Sequence, residues 1–430
     1  MIATGLGALS VGAMIAVAPA VNAAYSGVNG EIAFVSTRAN DGTFGGIFQV
    51  NSQASGLGNA SGDQSATLGL TDGGSGNGID SEPFFSPSGG TVFFSSNRDT
   101  PNGDWVIYDI PTSSPEPPGT PTELSQDPGS ESYDDYAPSV ANDGRTVVFN
   151  RNDTSIGALD ADAANPWSTV CVVYTPAGGL SAPGNDGSDS RVLFNPVNPT
   201  ELLYVSGNDH LHLVTGLPAL ASTVPGNQPL CGAANGVHGV TDTDLSANAF
   251  DSYSNSQDAT GTYADENPDW SPDGTKIIFD STRDGANHTL WQMTNIASGT
   301  LTVTPLWGSQ VGGSSNESQT EPVYSPDGTQ VAFVQQQHGV NTFTGYIVPL
   351  SGSGSGLSSA KDVSLSTQGN GIINDQPDWA PVQPGTQTPE VPLPVLLPAA
   401  ALVLGGLALV FERRRRPAVR PAPSERPTAS

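Results

Sequence analysis

One pattern of polar and apolar positions recurs along this chain. It is clearest at 267–280, which reads Asn-Pro-Asp-Trp-Ser-Pro-Asp-Gly-Thr-Lys-Ile-Ile-Phe-Asp. Residues 268–270 predict a short strand, and 276–279, rich in β-branched and aromatic side chains, predict a second. Between them, Ser-Pro-Asp-Gly supplies a proline with preset φ and residues that tolerate positive φ. The pattern therefore predicts a β-hairpin.

The hairpin pattern occurs several times. Clear copies lie at 82–94 and 321–333, a fair copy at 137–149 and a weak one at 192–204. A sixth hairpin is divided between the ends of the domain, with the first strand at 375–381 and the second at 30–35. Repeats that cannot bury their own faces indicate a propeller or a solenoid. Because the last repeat is completed by the first, we expect a closed, all-β, six-bladed propeller over residues 25–381.

A third strand pattern follows each hairpin, and a fourth, outer strand is less distinct. The long segment 216–265 predicts irregular surface structure. The predicted third strands are 46–50, 105–110, 169–174, 210–214, 289–293 and 345–349, and fourth strands are predicted at 301–304 and 361–365.

The hairpin at 268–279, continued by Asp-Ser-Thr-Arg-Asp-Gly at 280–285 and Leu-Trp-Gln-Met at 290–293, resembles the WD40-like (PD40) repeat of TolB-type propellers. The match is most specific in the repeats at 82, 267 and 321. This resemblance implies a TolB-like six-bladed propeller. TolB itself carries a separate α/β domain before its propeller, so the role of TolB is not implied.

The two ends of the chain predict export and anchoring. Residues 1–24 are small and apolar and end in Val-Asn-Ala, which predicts a signal peptide cleaved after about Ala23. Because no Lys or Arg precedes Arg38, the alternative is a buried first helix. Residues 382–390 predict an extended linker.

Residues 391–411 carry no charge and are long enough to cross a bilayer as a transmembrane helix. Residues 412–430 follow with an arginine run at 413–416, which predicts a cytoplasmic tail. This end is similar to the C-terminal sorting signals of bacterial surface proteins, although the Leu-Pro-x-Thr-Gly motif is absent. We expect a single-pass protein of the cell membrane, with its propeller extracytoplasmic, at the cell surface or in the periplasm.

Between these ends the sequence holds 8 basic and 39 acidic residues. Such a surface repels phosphates, so nucleic acid is excluded as a partner. The charge indicates solubility or, alternatively, a cationic or metal partner. In an oxidising compartment Cys171 and Cys231 predict a disulfide.

In a propeller, the loops that enter the first strands and the loops that leave the second strands open on one face. One interpretation is that each arginine there pairs with a neighbouring carboxylate and ties blades together. The alternative is that the carboxylates in excess of the arginines hold a divalent cation such as calcium, or a cationic group. The candidate binding residues at this channel mouth are Glu82, Asp135, Glu266, Glu321, Asp375, Arg38, Arg98, Arg151 and Arg283.

No catalytic constellation stands out. The chain lacks Gly-x-Ser-x-Gly, its histidines are scattered, and acidic pairs are too abundant to single one out. Trp270, Tyr324 and Trp379 predict packing between blades. The sequence therefore favours a non-enzymatic module that binds a protein or glycan of the bacterial cell envelope. The alternative is a hydrolase or lyase at the channel mouth that acts on extracellular polysaccharide or peptide.

Overall fold

The computed structural model separates the chain into two compact units, residues 1–382 and 383–430. The predicted signal peptide, linker, membrane span and tail lie outside the described residues, apart from residue 382. No helix within the described ranges is long and apolar enough to cross a membrane. The described residues are 25–37, 45–52, 67–71, 78–98, 100, 103–112, 119–125, 133–182, 191–220, 230, 240–251, 256–257, 263–283, 287–306, 317–337, 343–350, 361–362 and 374–382.

Six sheets follow one another along the chain, each built from one predicted repeat. Blade 1 holds β1 (Asn29–Ser36), β2 (Gly46–Asn51) and β3 (Thr67–Gly69). Blade 2 holds β4 (Asp80–Phe85), β5 (Thr91–Ser96), β6 (Val106–Pro111) and β7 (Thr122–Glu123). Blade 3 holds β8 (Asp135–Val140), β9 (Thr146–Arg151), β10 (Ser155–Asp160) and β11 (Cys171–Tyr174).

Blade 4 holds β12 (Val192–Phe194), β13 (Glu201–Val205), β14 (Leu211–Thr215) and β15 (Thr241–Asp244). Two short strands, β16 (Phe250–Asp251) and β17 (Ser256–Gln257), extend the outer edge of blade 5. The main strands of blade 5 are β18 (Asp265–Trp270), β19 (Ile277–Ser281), β20 (Thr289–Thr294) and β21 (Thr302–Pro305). Blade 6 holds β22 (Glu317–Tyr324), β23 (Gln330–Gln337), β24 (Phe343–Pro349) and β25 (Lys361–Asp362).

The last strand, β26 (Asn374–Pro381), completes blade 1 by pairing antiparallel with β1. The first strands of neighbouring blades also contact one another, as β4 does with β8 and β18 with β22. The predicted six-bladed propeller, closed by a sheet that both ends share, is therefore confirmed. Closure removes the free sheet edges that an open stack would expose.

Blade 3 differs from the prediction, because its third strand is β10 and not 169–174. Residues 171–174 form the outer strand β11 instead. The chain reverses at once after β9 through Asn152 and Asp153, which both have positive φ (53° and 54°). The small residues of β10 hide the strand signal, and Gly157 is required because an added Cβ would lie 2.4 Å from the Phe149 ring.

The segment 216–265 also contains more regular structure than expected. Its strand β15 pairs with β14 as the outer strand of blade 4 and leads into a four-residue helix, α1 (Leu245–Asn248). The Asp244 side chain caps this helix by accepting from the Ala247 amide. The sequence of β15, Thr-Asp-Thr-Asp, has no apolar signal because an outer strand is largely solvated. Short 3-10 turns lie at Pro166–Thr169 and Ile296–Ser298.

The core lies within and between the blades, and Trp270, Tyr324 and Trp379 are buried in it as predicted. Tyr25 joins this core, packing edge-to-face against Phe84 and donating its hydroxyl to the Val140 carbonyl. The chain therefore enters the fold immediately after the predicted cleavage point.

Candidate functional site

Five of the six first strands carry the same backbone irregularity at the residue before their proline. Strand pairing shifts there, and the residue adopts a positive φ between 48° and 54°. Non-glycine residues rarely adopt this conformation, so its recurrence shows that the surrounding fold imposes it. We call this the bulge position, and its residues are Glu82, Ala137, Asn267, Glu321 and Gln376.

Bulge-position side chains link neighbouring blades. Glu321 Oε2 accepts from the Gln376 amide at 2.5 Å, and Gln376 Oε1 accepts from the Glu82 amide at 2.7 Å. Glu82 Oε2 then accepts from the Ala137 amide at 2.5 Å. These hydrogen bonds connect blades 6, 1, 2 and 3 in sequence. Two of the five predicted mouth carboxylates, Glu82 and Glu321, therefore accept from buried backbone amides. Leaving such amides without an acceptor would cost stability.

Three of the four candidate arginines form buried or mostly buried ion pairs. Each pair lies within one hairpin, so the predicted pairing occurs but does not join blades. Arg151 is directly opposite its partner, and Nε and Nη2 donate at 2.8 and 2.9 Å. Burial raises the pKa of the partner, Asp135, while Arg151 opposes that rise. The pairs are Arg98–Asp80, Arg151–Asp135 and Arg283–Asp265.

The five candidate carboxylates do not occupy equivalent positions. Asp135 faces its arginine, Glu82 and Glu321 occupy the bulge position, and Glu266 and Asp375 lie one residue before it. The described residues thus show three different registers rather than one symmetric ring. Calcium binding by these five residues stays a prediction.

Two predicted features fall partly or wholly on residues that are not described. Arg38 lies outside the described residues, and Asn374, not Asp375, is the residue of β26 that pairs with Ser36 at the end of β1.

Cys171 is disulfide-bonded, and Cys231, the other cysteine of the sequence, lies outside the described residues.

Blade 5 exchanges two residues relative to blade 2. In blade 2, Glu82 at the bulge position accepts from Ser95 Oγ on the second strand at 2.7 Å. In blade 5 the bulge residue is Asn267, whose Nδ2 donates to Asp280 Oδ2 at 3.0 Å. Asp280 Oδ2 also accepts from the amide of Glu321 in blade 6 at 3.0 Å. The blade-linking carboxylate has therefore moved from the first strand to the second.

This exchange places Asp280 in a cluster that the sequence did not reveal. Its Oδ1 lies 2.7 Å from His288 Nδ1, and Glu266 Oε2 lies 3.6 Å from the same nitrogen. The Asp280 side chain is fully buried, whereas His288 and Glu266 are 25% and 16% exposed. Glu266 pairs with Asp280 across the hairpin, and His288 directly precedes the third strand. The pairing of Glu266 with Asp280 was the signal that could have revealed this cluster. It can be read from the sequence only if one extra residue is allowed for the bulge in the first strand.

Two buried aspartates lie on first strands, one residue after the proline. Asp378 Oδ2 accepts from the Phe85 amide at 2.6 Å, and Asp269 Oδ2 accepts from the Tyr324 amide at 2.8 Å. Burial raises the pKa of Asp269 to about 7 and that of Asp378 to about 6, while nearby Arg191 opposes both shifts. These groups therefore link blades at a cost that depends on pH.

A cavity of about 670 Å³ lies on the hairpin-turn side of blades 5 and 6. Two equivalent Ser-Pro-Asp-Gly turns contribute Asp273 and Asp327 to its wall, which is also lined by Lys276, Gln292, Leu306 and Leu350. Although burial raises the pKa of each aspartate, hydrogen bonds from Ser and Thr of its own turn hold that pKa below the usual range. The wall therefore presents carboxylates, an ammonium group and apolar surface together.

No known protein-family model matches the chain, and no curated protein matches it. Among solved structures, it is similar to a periplasmic gluconolactonase of Pseudomonas aeruginosa (13% identity, TM-score 0.42, covering 74% of this chain and 79% of that one). It is also similar to an oligogalacturonate lyase in complex with manganese (10% identity, TM-score 0.41, covering 77% of this chain and 74% of that one). The propeller domain of Myceliophteria thermophila Cps50 (Swd1) is 12% identical, with a TM-score of 0.36, over 63% of this chain and 66% of that one. The chain therefore spans slightly under two thirds of that domain. Similarity at this level carries no argument about activity.

Proposed function

We propose that this chain is an exported, membrane-anchored binding protein of the bacterial cell envelope, and that its propeller holds a glycan in the cavity beside blades 5 and 6. The chemistry of the cavity wall carries the proposal. Sugar hydroxyls need both donors and acceptors, which Lys276, Gln292 and the carboxylates of Asp273 and Asp327 supply. Sugar C–H faces need apolar surface, which Leu306 offers.

The contacts of the mouth carboxylates favour binding over catalysis. Glu82 and Glu321 accept buried backbone hydrogen bonds, and Asp135 is paired with Arg151. A group that holds blades together is poorly placed to change its protonation during a reaction. Export is supported by the apolar segments 1–24 and 391–411, and a neutral glycan suits a strongly acidic domain better than an anionic one does.

Binding of the purified full chain in detergent to a glycan panel, measured by calorimetry, tests this function. We expect Lys276→Ala and Leu306→Trp each to weaken binding about tenfold or more, because one removes a donor and the other fills the cavity. Val197→Ala is the control, since Val197 is 62% exposed on a hairpin turn of blade 4. Binding of basic peptides alone, or glycan binding that both cavity variants retain, contradicts the proposal.

A second candidate function is an enzyme at the channel mouth, a hydrolase or lyase acting on extracellular polysaccharide or peptide. The observation that favours it is the Asp280–His288 hydrogen bond beside Glu266, since a carboxylate that orients a histidine is a common general-base arrangement. Turnover of such substrates should be lost in His288→Gln. Turnover that this variant retains excludes the histidine as its base.

A further inference from the structure

The cluster of Glu266, Asp280 and His288 combines ligand types that a borderline divalent metal ion prefers. Among the described residues, it is the group in which three such side chains offer ligand atoms that all lie within 4.8 Å of one another. An imidazole nitrogen with two carboxylate oxygens suits Zn²⁺ better than Ca²⁺, which takes six to eight oxygen ligands.

The spacing of these atoms also suits such an ion. Ligands about 2.0–2.2 Å from a tetrahedral zinc ion lie roughly 3.3–3.6 Å from one another. The distance from His288 Nδ1 to Glu266 Oε2, 3.6 Å, is in that range, and the distance from His288 Nδ1 to Asp280 Oδ1, 2.7 Å, is shorter. Small side-chain movements would therefore bring all three atoms around one ion.

An independent observation comes from Asn267, which is 2% exposed. Its Nδ2 donates to Asp280, while its Oδ1 is buried and has no hydrogen-bond partner among the described residues. Both polar atoms belong to one amide group, so this acceptor lies beside the cluster. A buried acceptor without a donor is costly, and a bound ion with its water would supply one.

Charge points the same way. The carboxylates of Glu266 and Asp280 both lie close to one imidazole, and a divalent cation among them would be attracted to both. Asp280 Oδ2 is already engaged by Asn267 and by the Glu321 amide, which leaves its Oδ1 directed at His288. We propose that Glu266 Oε2, Asp280 Oδ1 and His288 Nδ1 bind a divalent transition-metal ion, with Zn²⁺ as the representative, and leave an open position on the ion.

A histidine of blade 4 provides the matched control. His212 Nδ1 lies 2.9 Å from Asp242 Oδ1, and its Nε2 lies 3.8 Å from Asp244 Oδ2. The two carboxylates thus approach opposite sides of the ring and cannot surround one ligand nitrogen. Its side chain, 18% exposed, is about as accessible as that of His288.

The test is titration of the metal-free full chain with Zn²⁺, followed by calorimetry. We expect saturable binding of one equivalent at this site, weakened about tenfold or more in Glu266→Gln and His288→Gln and unchanged in His212→Gln. Excess Ca²⁺ should not displace the ion.

A double variant separates loss of the ligand from loss of the fold. Asn267→Glu with Asp280→Ser recreates the blade 2 arrangement, so it should keep the link to Glu321 while losing Zn²⁺ binding. Absence of saturable binding in the parent overturns the proposal and leaves a simple His–Asp hydrogen bond. Binding that persists in His288→Gln, or that is lost in His212→Gln, also overturns it. None of these readouts depends on the glycan proposed above.

Discussion

Blades 2 and 5 begin with hairpins of the same register, yet three of their buried positions carry side chains of different polarity or charge. Blade 2 has Glu82, Phe84 and Ser95 where blade 5 has Asn267, Asp269 and Asp280. In both arrangements a carboxylate accepts a hydrogen bond from a backbone amide of the next blade. In blade 2 the carboxylate lies on the first strand and contacts a serine, whereas in blade 5 it lies on the second strand and reaches His288.

The comparison separates two demands on one hairpin. The link between blades needs an acceptor near the bulge, and either strand can supply it. The position of that acceptor then decides whether a third group can join it. In blade 5 the second strand precedes the loop that carries His288, so moving the carboxylate created a cluster without removing the link.

The largest expected effect concerns a feature that the two blades share. Arg98→Met and Arg283→Met should each destabilise the fold by roughly 3–5 kcal/mol, because each leaves a buried aspartate without its cation. Chemical denaturation of the single variants gives these values. Adding Asp80→Asn to Arg98→Met should recover part of the loss. Losses below about 1 kcal/mol in both blades would show that these pairs are not needed.

The next effect is a pH dependence of stability, which arises because blade 5 has Asp269 where blade 2 has Phe84. Folding raises the pKa of Asp269 to about 7, so the folded state retains a proton that the unfolded chain releases. Stability due to this group is therefore greatest below pH 4 and is lost as pH rises to about 7. At about 1.4 kcal/mol per pKa unit, Asp269→Asn should be stabilising at pH 8 by up to about 4 kcal/mol and nearly neutral at pH 4.

Melting curves of the parent and Asp269→Asn from pH 4 to pH 8 check this dependence. Asp273→Asn is the control with the opposite sign, because hydrogen bonds lower the pKa of Asp273. That carboxylate adds stability above its ordinary pKa and loses it as the pH falls, so its variant should be destabilised at neutral pH. A parent and Asp269→Asn that melt in parallel at every pH contradict the prediction.

A smaller effect is expected at the link from blade 2 to blade 3. Glu82→Ala should cost about 1–3 kcal/mol, since it removes the acceptor of the Ala137 amide and of Ser95 Oγ. Glu82→Gln should cost less, because Gln376 already makes this contact with an amide oxygen in blade 1. Denaturation midpoints that rank Gln below Ala would refute the role of the acceptor.

The smallest change in stability is expected for the double exchange in blade 5. Asp280→Ser alone leaves the Glu321 amide without its acceptor and should cost about 1–3 kcal/mol. Adding Asn267→Glu should recover most of that loss, so the pair should lie within about 1 kcal/mol of the parent. A double-mutant cycle measures the coupling, and strictly additive losses would show that the two blades are not interchangeable.

The sequence by itself determined the number of blades, their hairpins and the shared closing sheet. These features depend on local information: alternating apolar residues, Ser-Pro-Asp-Gly turns and a pattern divided between 375–381 and 30–35. Where that information was weak, the prediction failed. Gly157 and its small neighbours concealed a buried strand, and the polar strand β15 resembled a loop.

Only the tertiary structure decided which side chains meet. One residue of bulge in a first strand turns the following side chains to the other face, so a shift of one residue relative to the bulge gives a carboxylate different neighbours. Glu82 and Glu266 lie one position apart in the repeat, yet one links two blades and the other lies beside His288. The contact between His288 and Asp280 joins the second strand of blade 5 to the residue before its third strand, and the length of the intervening loop is not recorded by the repeat pattern.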